Sequence, residues 1–493
     1  MSKLFIFGIG GTGARVIKSL VMLLASGMRS TSEYEIVPII IDPHKDNEDL
    51  KRTVDLLNNY TKISEKAGLN NGFFATKVST LQSLDPDNNL SGTYTFNLKE
   101  VSNNKFKDYF SFNTLNEENK AFMELLFSGR SINTNGSSID LLEIPMDIGF
   151  VGNPNVGSVV LNQFKDSQEF KDFANNFNEG DRIFIISSIF GGTGAAGFPT
   201  ILKNIRDAVN NKAISNGGFL QNSSIGAVTV LPYFNIDADE NSPIKRSDFI
   251  EKTKAALGYY QKNVNPSLNA MYYIGDNYNG TAYENDPGNG GQKNKAHIVE
   301  LGAALSVLDF MEIPSDDLQT QNGRPLNSTF KEYGIKEDKQ AIYFEHLGDG
   351  SNSMLSKSLT QLTLLKKYID EKFDSSIEKQ TWSTDNPAID KSFKSGQFFN
   401  SNLRGFLSQY LDWLKEMESN SRAFSPFNLN ADLFKLINGR DAKKEMFGFK
   451  KFNFDSFDME LNKVVKRASY SSAEQKILNL FFQATSTIVS DKY

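Results

Sequence analysis

The sequence of 493 residues contains no cysteine, three histidines and two tryptophans. The absence of cysteine excludes disulfides, thiolate metal sites and thiol nucleophiles. Only three histidines occur, His44, His297 and His346, and this small number argues against a histidine-built metal centre. We therefore assign no metal-ligating side chains from the sequence.

Long apolar runs and basic clusters are missing as well. No stretch approaches the ~18 continuous apolar residues of a membrane-spanning helix, and the apolar stretch before the first glycines is too short for a signal peptide. Lys and Arg number 53 against 59 Asp and Glu, a formal net charge of -6, and no run of them stands out. We expect a cytoplasmic protein that binds neither membranes nor nucleic acid.

What the sequence does contain is an alternation of apolar strands with helical patterns, which predicts an α/β fold with a doubly wound parallel sheet. The predicted strands are Lys3–Phe7, Glu35–Ile41, Arg182–Ser187, Ser224–Leu231 and Ala270–Ile274.

The chain divides into two predicted domains. Residues 1–312 form the sheet domain, with a polar, irregular insertion at about 45–145 and an apolar central helix at about 296–311. Residues 313–493 form a mostly helical C-terminal domain. Its helices are predicted near 354–373, 397–418 and 471–488, with a short strand at Ala341–Phe344.

Glycine-rich turns follow the strands at three places: Gly8–Gly13, Gly149–Gly157 and Gly191–Gly197. Such a turn between a strand and a helix lets backbone N–H groups approach a phosphate at the positive end of the helix. The first turn with Asp42, a candidate ribose-binding acid, also fits an NAD(P)-binding Rossmann oxidoreductase. That alternative needs one phosphate loop and leaves Gly191–Gly197 unexplained, whereas three loops suit a nucleoside triphosphate.

In combination, these motifs resemble the tubulin/FtsZ superfamily over roughly residues 3–310. The run Asp181–Phe184, Gly191–Gly194 and Pro199–Ile201 is similar to the signature loop with its strand and helix. Gly152-Asn153-Pro154-x-Val156-Gly157 is similar to the loop that senses the γ-phosphate, and Gly8–Gly13 takes the place of the first phosphate loop. Leu231–Asn235 followed by Lys245-Arg246 resembles the segment near the ribose.

The chain also departs from this pattern, since Phe190 and Ala196 replace glycines of the signature and Ile40 replaces an asparagine before Asp42. It resembles divergent bacterial tubulin-like proteins more than cell-division FtsZ. The resemblance implies a tubulin/FtsZ-type nucleotide-binding domain that holds GTP or GDP, with Mg²⁺ as an optional companion.

The implied nucleotide-binding residues are Gly8, Gly10, Gly11, Thr12, Gly13, Asp42, Gly152, Asn153, Pro154, Gly191, Gly192, Thr193, Gly194, Ala195, Asn235, Arg246, Asn277 and His297. The resemblance implies that the guanine edge is recognised by Asp276 or Asn277 together with Asn294 or His297. A histidine at a helix N-terminus without any ligand is an equal alternative for His297.

In this family, acids in the loop after the central helix complete GTP hydrolysis on the neighbouring subunit. Asp316 and Asp317 follow the helix here and are the candidate catalytic residues, although they do not reproduce the family's spacing. Solvated loop acids are the alternative, so GTPase activity stays open.

Two hypotheses follow from the resemblance. In the first, the chain is its own partner and forms head-to-tail filaments. In the second, it is a nucleotide sensor in a bacterial regulatory or anti-phage system, with a protein partner bound through the C-terminal helices.

Overall fold

The computed structural model describes residues 1–28, 30–44, 47–68, 72–85, 92–101, 103–127, 131–132, 138–146, 149–150, 153–233, 246–276, 293–333, 339–443 and 451–493. For residues 131–132, 138–139, 246–250 and 333, the description extends to the backbone only.

Within these residues, six strands form one sheet in which every neighbouring pair is parallel. The strands are β1 (Ser2–Ile9), β2 (Tyr34–Ile41), β3 (Arg182–Ser188), β4 (Ser224–Val230), β5 (Ala270–Ile274) and β6 (Thr329–Tyr333). Their spatial order is β6-β5-β4-β3-β1-β2. The predicted parallel α/β fold class is confirmed, and the five predicted sheet strands match β1 to β5 closely.

The helices of eight residues or more are α1 (Gly10–Ala25), α2 (Glu48–Ala67), α3 (Glu117–Phe127), α4 (Pro154–Leu161), α5 (Gln168–Asn176), α6 (Gly192–Arg206), α7 (Arg246–Asn263), α8 (Ile298–Glu312), α9 (Asp349–Glu371), α10 (Arg404–Glu418), α11 (Phe454–Val465) and α12 (Ala473–Lys492). The shorter helices are Phe106–Tyr109, Gly217–Gln221, Phe373–Ser376, Thr381–Thr384 and Lys391–Ser395, and Phe398–Leu403 is a π-helical turn before α10. Two-residue strands pair at Ser131–Ile132 with Ser138–Ile139, Thr320–Gln321 with Arg324–Pro325, and Ala341–Ile342 with Ala423–Phe424. No helix of the described ranges combines the length and the apolarity needed to cross a bilayer.

Strand β1 shows why the sheet is covered on both faces. Successive side chains point to opposite faces, and Leu4 and Ile6 enter one core while Phe5, Phe7 and Ile9 enter the other. All five are fully buried. A continuous apolar run of this kind is typical of parallel strands that lie between two layers of helices.

The C-terminal helical region shares a core with the first of these faces. Phe406 of α10 packs against Tyr60 of α2 with ring centroids 6.3 Å apart. The indole of Trp413 donates to the Ser19 hydroxyl of α1 at 3.2 Å. The helical region therefore covers α1 and α2 directly, and its mainly helical character is confirmed.

The expectation of an irregular segment after residue 45 is wrong for its first part, which forms α2. Asn47 caps this helix by accepting from the Asp49 and Leu50 amides at 2.9 and 3.4 Å. Leu56, Tyr60 and further apolar residues at helical spacing are buried, and the helix packs against α1 and the C-terminal helices. The polar residues of its outer face hide this periodicity in the composition.

Candidate functional site

The order of the strands places a topological switch point between β1 and β3, at their carboxyl ends. From β1 the chain moves outward to β2, and it later returns to β3 on the other side of β1. In open parallel sheets, ligands bind outside the carboxyl ends of the strands at such a switch point. Both strands lead into glycine-rich turns here.

Three glycine turns meet around Thr193. A Cβ placed on Gly10, whose φ is +70°, would lie 3.4 Å from Thr193 Cβ. A Cβ on Gly149, whose φ is +87°, would lie 3.9 Å from Thr193 Oγ1, and one on Gly157 would lie 3.0 Å from the Gly192 carbonyl oxygen. Turns that are far apart in sequence therefore converge on one edge of the sheet.

Three helices begin at this edge: α1 at Gly10, α4 at Pro154 and α6 at Gly192. None has an acidic residue in its first turn, and no side chain of the described residues caps its first amides. By contrast, α2, α5 and α12 each have a side-chain cap and a first-turn acid. Uncapped N-termini leave N–H donors and the positive end of the dipole for an external anion.

The predicted phosphate-loop residues occupy these helix starts. Gly10, Gly11, Thr12 and Gly13 form the first turn of α1, Gly191 precedes α6, and Gly192, Thr193, Gly194 and Ala195 form its first turn. Pro154 begins α4, and Asn153 Nδ2 donates to the Phe150 carbonyl at 3.2 Å. Gly152, Asn235 and Asn277 lie outside the described residues, and Arg246 is described only as the first backbone position of α7.

Some of these glycines are also required for packing. A Cβ on Gly13 would lie 2.5 Å from the Gly8 carbonyl carbon, and one on Gly194 would lie 2.8 Å from the Ser188 oxygen. Side chains at these positions would separate each helix from its strand. Gly10 differs because its Cβ would reach only ordinary van der Waals contact.

The three turns contain no charged side chain. The charged groups near them lie on the neighbouring helices. Arg15 of α1 is 5% exposed, and its guanidinium donates to Glu300 Oε1 at 2.5 Å and to Asp49 Oδ2 at 2.9 Å. It also donates to Thr12 Oγ1 at 3.4 Å and to Tyr233 Oη at 3.1 Å. Burial alone would lower the pKa of Arg15, but the neighbouring Tyr233, Glu300 and Asp49 raise that pKa well above the ordinary value.

Sequence reasoning missed this cluster. A single arginine stands inside the apolar run of α1, and a single glutamate stands in the apolar start of α8. An isolated charge in a buried helical run needs a partner of opposite charge, and that signal was available. The identity of the partner was not, because Arg15 and Glu300 are 285 residues apart.

Asp42 lies at the carboxyl end of β2 and closes the connection to α2. Its carboxylate accepts from the His44 amide at 3.0 Å and from Asn47 Nδ2 at 3.2 Å. Burial raises its pKa to about 7, although both hydrogen bonds oppose the shift. A ribose contact by Asp42 stays a prediction.

His297 is the N-cap of α8 and is 2% exposed. Its Nδ1 accepts from the Val299 amide at 3.1 Å, and its ring lies 4.7 Å from that of Tyr233. Burial, followed by the nearby Arg15 and Arg422 charges, lowers its pKa to about 3. The neutral form of the imidazole is therefore favoured, and its Nδ1 caps the helix. A contact of His297 with the guanine edge stays a prediction.

Of the other implied base-reading residues, Asn294 and Asp276 are engaged with protein groups, and Asn277 lies outside the described residues. Asn294 donates through its amide and its side chain to Asp49 at 3.1 Å each. Asp276 forms an ion pair with Arg422 of the C-terminal region at 3.4 Å. Arg422 is a second residue near this edge that sequence reasoning missed.

The candidate catalytic acids lie at the amino ends of the strands, on the side of the sheet away from the glycine turns. Arg182, the first residue of β3, donates to the Phe310 and Ile313 carbonyls at 2.8 Å each, at the end of α8. Asp316 and Asp317 follow directly in an exposed turn. Seven residues of β3 span roughly 20 Å, so these acids do not reach the glycine turns of their own chain.

The described residues include no group of three or more His, Asp or Glu side chains that could hold a metal ion. The glycine turns nevertheless fit a nucleotide phosphate chain, because they combine uncapped helix starts with a Thr193 hydroxyl that makes no hydrogen bond to the described residues.

No protein-family model matches the sequence, and no curated protein matches it. Among solved structures, the chain is similar to CetZ from Methanosaeta thermophila strain DSM 6194, with 11% identity and a TM-score of 0.31. The likeness covers 64% of this chain and 58% of that chain.

Proposed function

We propose that this protein binds a nucleoside triphosphate at the carboxyl ends of the strands. The resemblance of its sequence motifs to those of tubulin and FtsZ favours GTP. The observation that carries the proposal is the meeting of three uncapped helix N-termini around Thr193. A dinucleotide enzyme needs one such loop, so the Rossmann oxidoreductase leaves two loops without a role.

The residues that would hold the phosphates act mainly through their backbone. The amides of Gly11–Gly13, Thr193 and Gly194 lie in the first turns of α1 and α6, and the Thr193 hydroxyl adds a donor beside them. The Ala195 amide already donates to the Gly191 carbonyl at 3.0 Å. Arg15 is not proposed as a phosphate ligand, because it is buried and Glu300, Asp49, Thr12 and Tyr233 already accept from four of its five N–H donors. Recognition therefore depends on helix dipoles and oriented amides.

We further propose head-to-tail assembly, in which Asp316 and Asp317 of one subunit orient water at the nucleotide of the next. The separation of these acids from the glycine turns supports action between subunits. Carboxylates suit this role because they accept a proton and orient a water molecule. A contact between opposite edges is heterologous and produces an open filament when the rotation does not close a ring.

A mixing experiment tests assembly and hydrolysis together. Phosphate release and light scattering are measured for the double variant Asp316→Asn/Asp317→Asn, for Gly10→Ala, and for an equimolar mixture of the two. Each alone should release little phosphate, and the mixture should recover part of the parent rate because acids meet nucleotide across the interface. Asp412→Asn, an exposed acid on α10, is the control and should behave like the parent. A mixture no more active than its components contradicts catalysis between subunits.

A non-polymerising nucleotide sensor is the second candidate, and the C-terminal contacts favour it. Glu416 accepts from the Ala296 amide at 2.9 Å, and Asn420 Nδ2 donates to the Ala296 carbonyl at 2.6 Å, both next to α8. Tight GTP binding by a monomer, without turnover at any protein concentration, would support the sensor over the filament.

A further inference from the structure

A network of alternating charges connects the first glycine turn to the C-terminal helices. Arg15 binds Asp49 at 2.9 Å, Asp49 binds Arg52 at 2.8 Å, and Arg52 binds Glu416 at 2.6 Å. Lys18 of α1 also binds Glu416, at 3.1 Å. With Glu300, the network contains three cations and three carboxylates, so its charges balance.

Glu416 is the point where this network meets the C-terminal region. It accepts from Lys18 Nζ in α1, from Arg52 Nη1 in α2 and from the Ala296 amide before α8. Burial would raise the pKa of Glu416, but Lys18 and Arg52 outweigh burial and hold that pKa below its ordinary value. The carboxylate is therefore ionised in the folded protein.

The position of Glu416 within its own helix is unfavourable. It lies in the last turn of α10, where the negative end of the helix dipole disfavours an acid. The stabilisation that offsets this cost comes from α1, α2 and the segment before α8. The placement of Glu416 thus serves contacts between elements and does not serve α10 itself.

The same network reaches the glycine turn through hydrogen bonds. Arg15 donates to Thr12 Oγ1, and Thr12 lies in the first turn of α1. Lys18 lies eight residues after Gly10 on the same helix, about 12 Å along its axis. Any movement of α1 toward or away from a phosphate changes the geometry at Thr12 and at Glu416 together.

We propose that Glu416 is a positioning residue that couples nucleotide binding at the start of α1 to the packing of α10. This inference rests on the proposed function, since the coupling needs a nucleotide at the glycine turns. It provides a route by which the C-terminal helices respond to the state of the site. Such coupling is reciprocal, so loss of the link weakens nucleotide binding as well.

The test compares Glu416→Gln with Glu418→Gln in the full chain. Glu418 is a matched control because it lies in the same turn, carries the same charge and is exposed. Within the described residues it accepts a hydrogen bond only from Ser425 Oγ, at 2.8 Å. GTP affinity is measured by calorimetry. Hydrogen exchange is followed, with and without GTP, in peptides that cover residues 8–20 and 404–418.

In the parent and in Glu418→Gln, GTP should slow exchange in both peptides. In Glu416→Gln, the Kd for GTP should rise about tenfold, within the usual range of coupling. GTP should still protect residues 8–20, while its protection of residues 404–418 is lost. A merely structural role would change exchange equally with and without GTP. Lys18→Gln breaks the same link from α1 and should reproduce this pattern if Glu416→Gln does not fold.

The inference is overturned if Glu416→Gln keeps the parent affinity and the GTP-dependent protection of residues 404–418. An equal loss in Glu418→Gln overturns it too, because the effect would then come from charge alone. If GTP protects residues 8–20 in none of the proteins, including the parent, the proposed nucleotide site itself is wrong. The parent measurement thus separates the two failures.

Discussion

Replacement of Gly10 by alanine should weaken nucleotide binding while the protein stays folded. Gly10 lies at the start of α1 with φ +70°, and its added Cβ would point toward Thr193 across the gap between two glycine turns. The nearest contact, 3.4 Å to Thr193 Cβ, is ordinary van der Waals distance. The methyl group therefore fits the empty turns but takes the space where a phosphate would approach the amides.

The two expected effects differ in size. A left-handed conformation costs an L-residue roughly 1–2 kcal/mol, a fraction of the roughly 5–15 kcal/mol that stabilises most folded proteins. Each hydrogen bond to a charged group contributes about 1.5–3 kcal/mol, and 1.4 kcal/mol corresponds to about a tenfold change in Kd. Loss of one or two amide–phosphate bonds should therefore raise the Kd for GTP at least about tenfold.

Gly180→Ala is the matched control. Gly180 has φ +88°, and its added Cβ would lie 3.5 Å from Ser2 Oγ, so the strain is comparable. It precedes β3 at the opposite edge of the sheet. The midpoint temperature of thermal unfolding should fall by a similar amount in both variants. Calorimetry should show weakened GTP binding only for Gly10→Ala. Equal GTP affinity in Gly10→Ala and the parent, or equal losses in both variants, would refute the assignment of the site.

Two further predictions concern stability. The pKa of Asp42 is raised to about 7 against an ordinary value of 3.8, so its stabilising effect is complete below about pH 4 and is lost as the pH rises through 7. At about 1.4 kcal/mol per unit of pKa, the parent should lose up to about 4 kcal/mol of unfolding free energy over this range relative to Asp42→Asn. Urea unfolding at several pH values measures this, and an equal pH dependence of the unfolding free energy in the two proteins would contradict it. In the C-terminal region, Asp458 accepts from the Ser376 hydroxyl at 3.0 Å, from the Trp382 indole at 3.1 Å and from Tyr368 Oη. Asp458→Ala leaves these buried donors without their acceptor and should cost about 3–5 kcal/mol in urea unfolding with GTP affinity unchanged; a cost below 1 kcal/mol, or a loss of affinity, would be inconsistent with a purely structural role.

The parts of the fold that sequence reasoning found are those with local signals. Buried parallel strands are continuous apolar runs, as in Leu4–Ile9, and a glycine turn marks the passage from a strand to a helix. These two patterns were enough to predict the parallel sheet and the positions of α1 and α6 in the sequence. The prediction that residues 48–67 are irregular was wrong. The polar residues of the outer face are numerous enough in the composition to mask the buried apolar residues at helical spacing.

The parts that sequence reasoning missed depend on contacts between distant residues. The partners of Arg15 lie 34 and 285 residues away, and Lys18 meets Glu416 across 398 residues. A single sequence shows that a charge is buried in a helical run, but it does not identify the opposite charge. His297 illustrates the same limit, since only the folded chain shows its ring nitrogen capping α8.

A crystal structure of the full chain with a non-hydrolysable GTP analogue tests the central claim most directly. The account predicts phosphate oxygens within hydrogen-bonding distance of the amides of Gly11–Gly13, Thr193 and Gly194, at the carboxyl ends of β1 and β3. An analogue bound elsewhere on the molecule, or glycine turns left empty at saturating analogue, would contradict it.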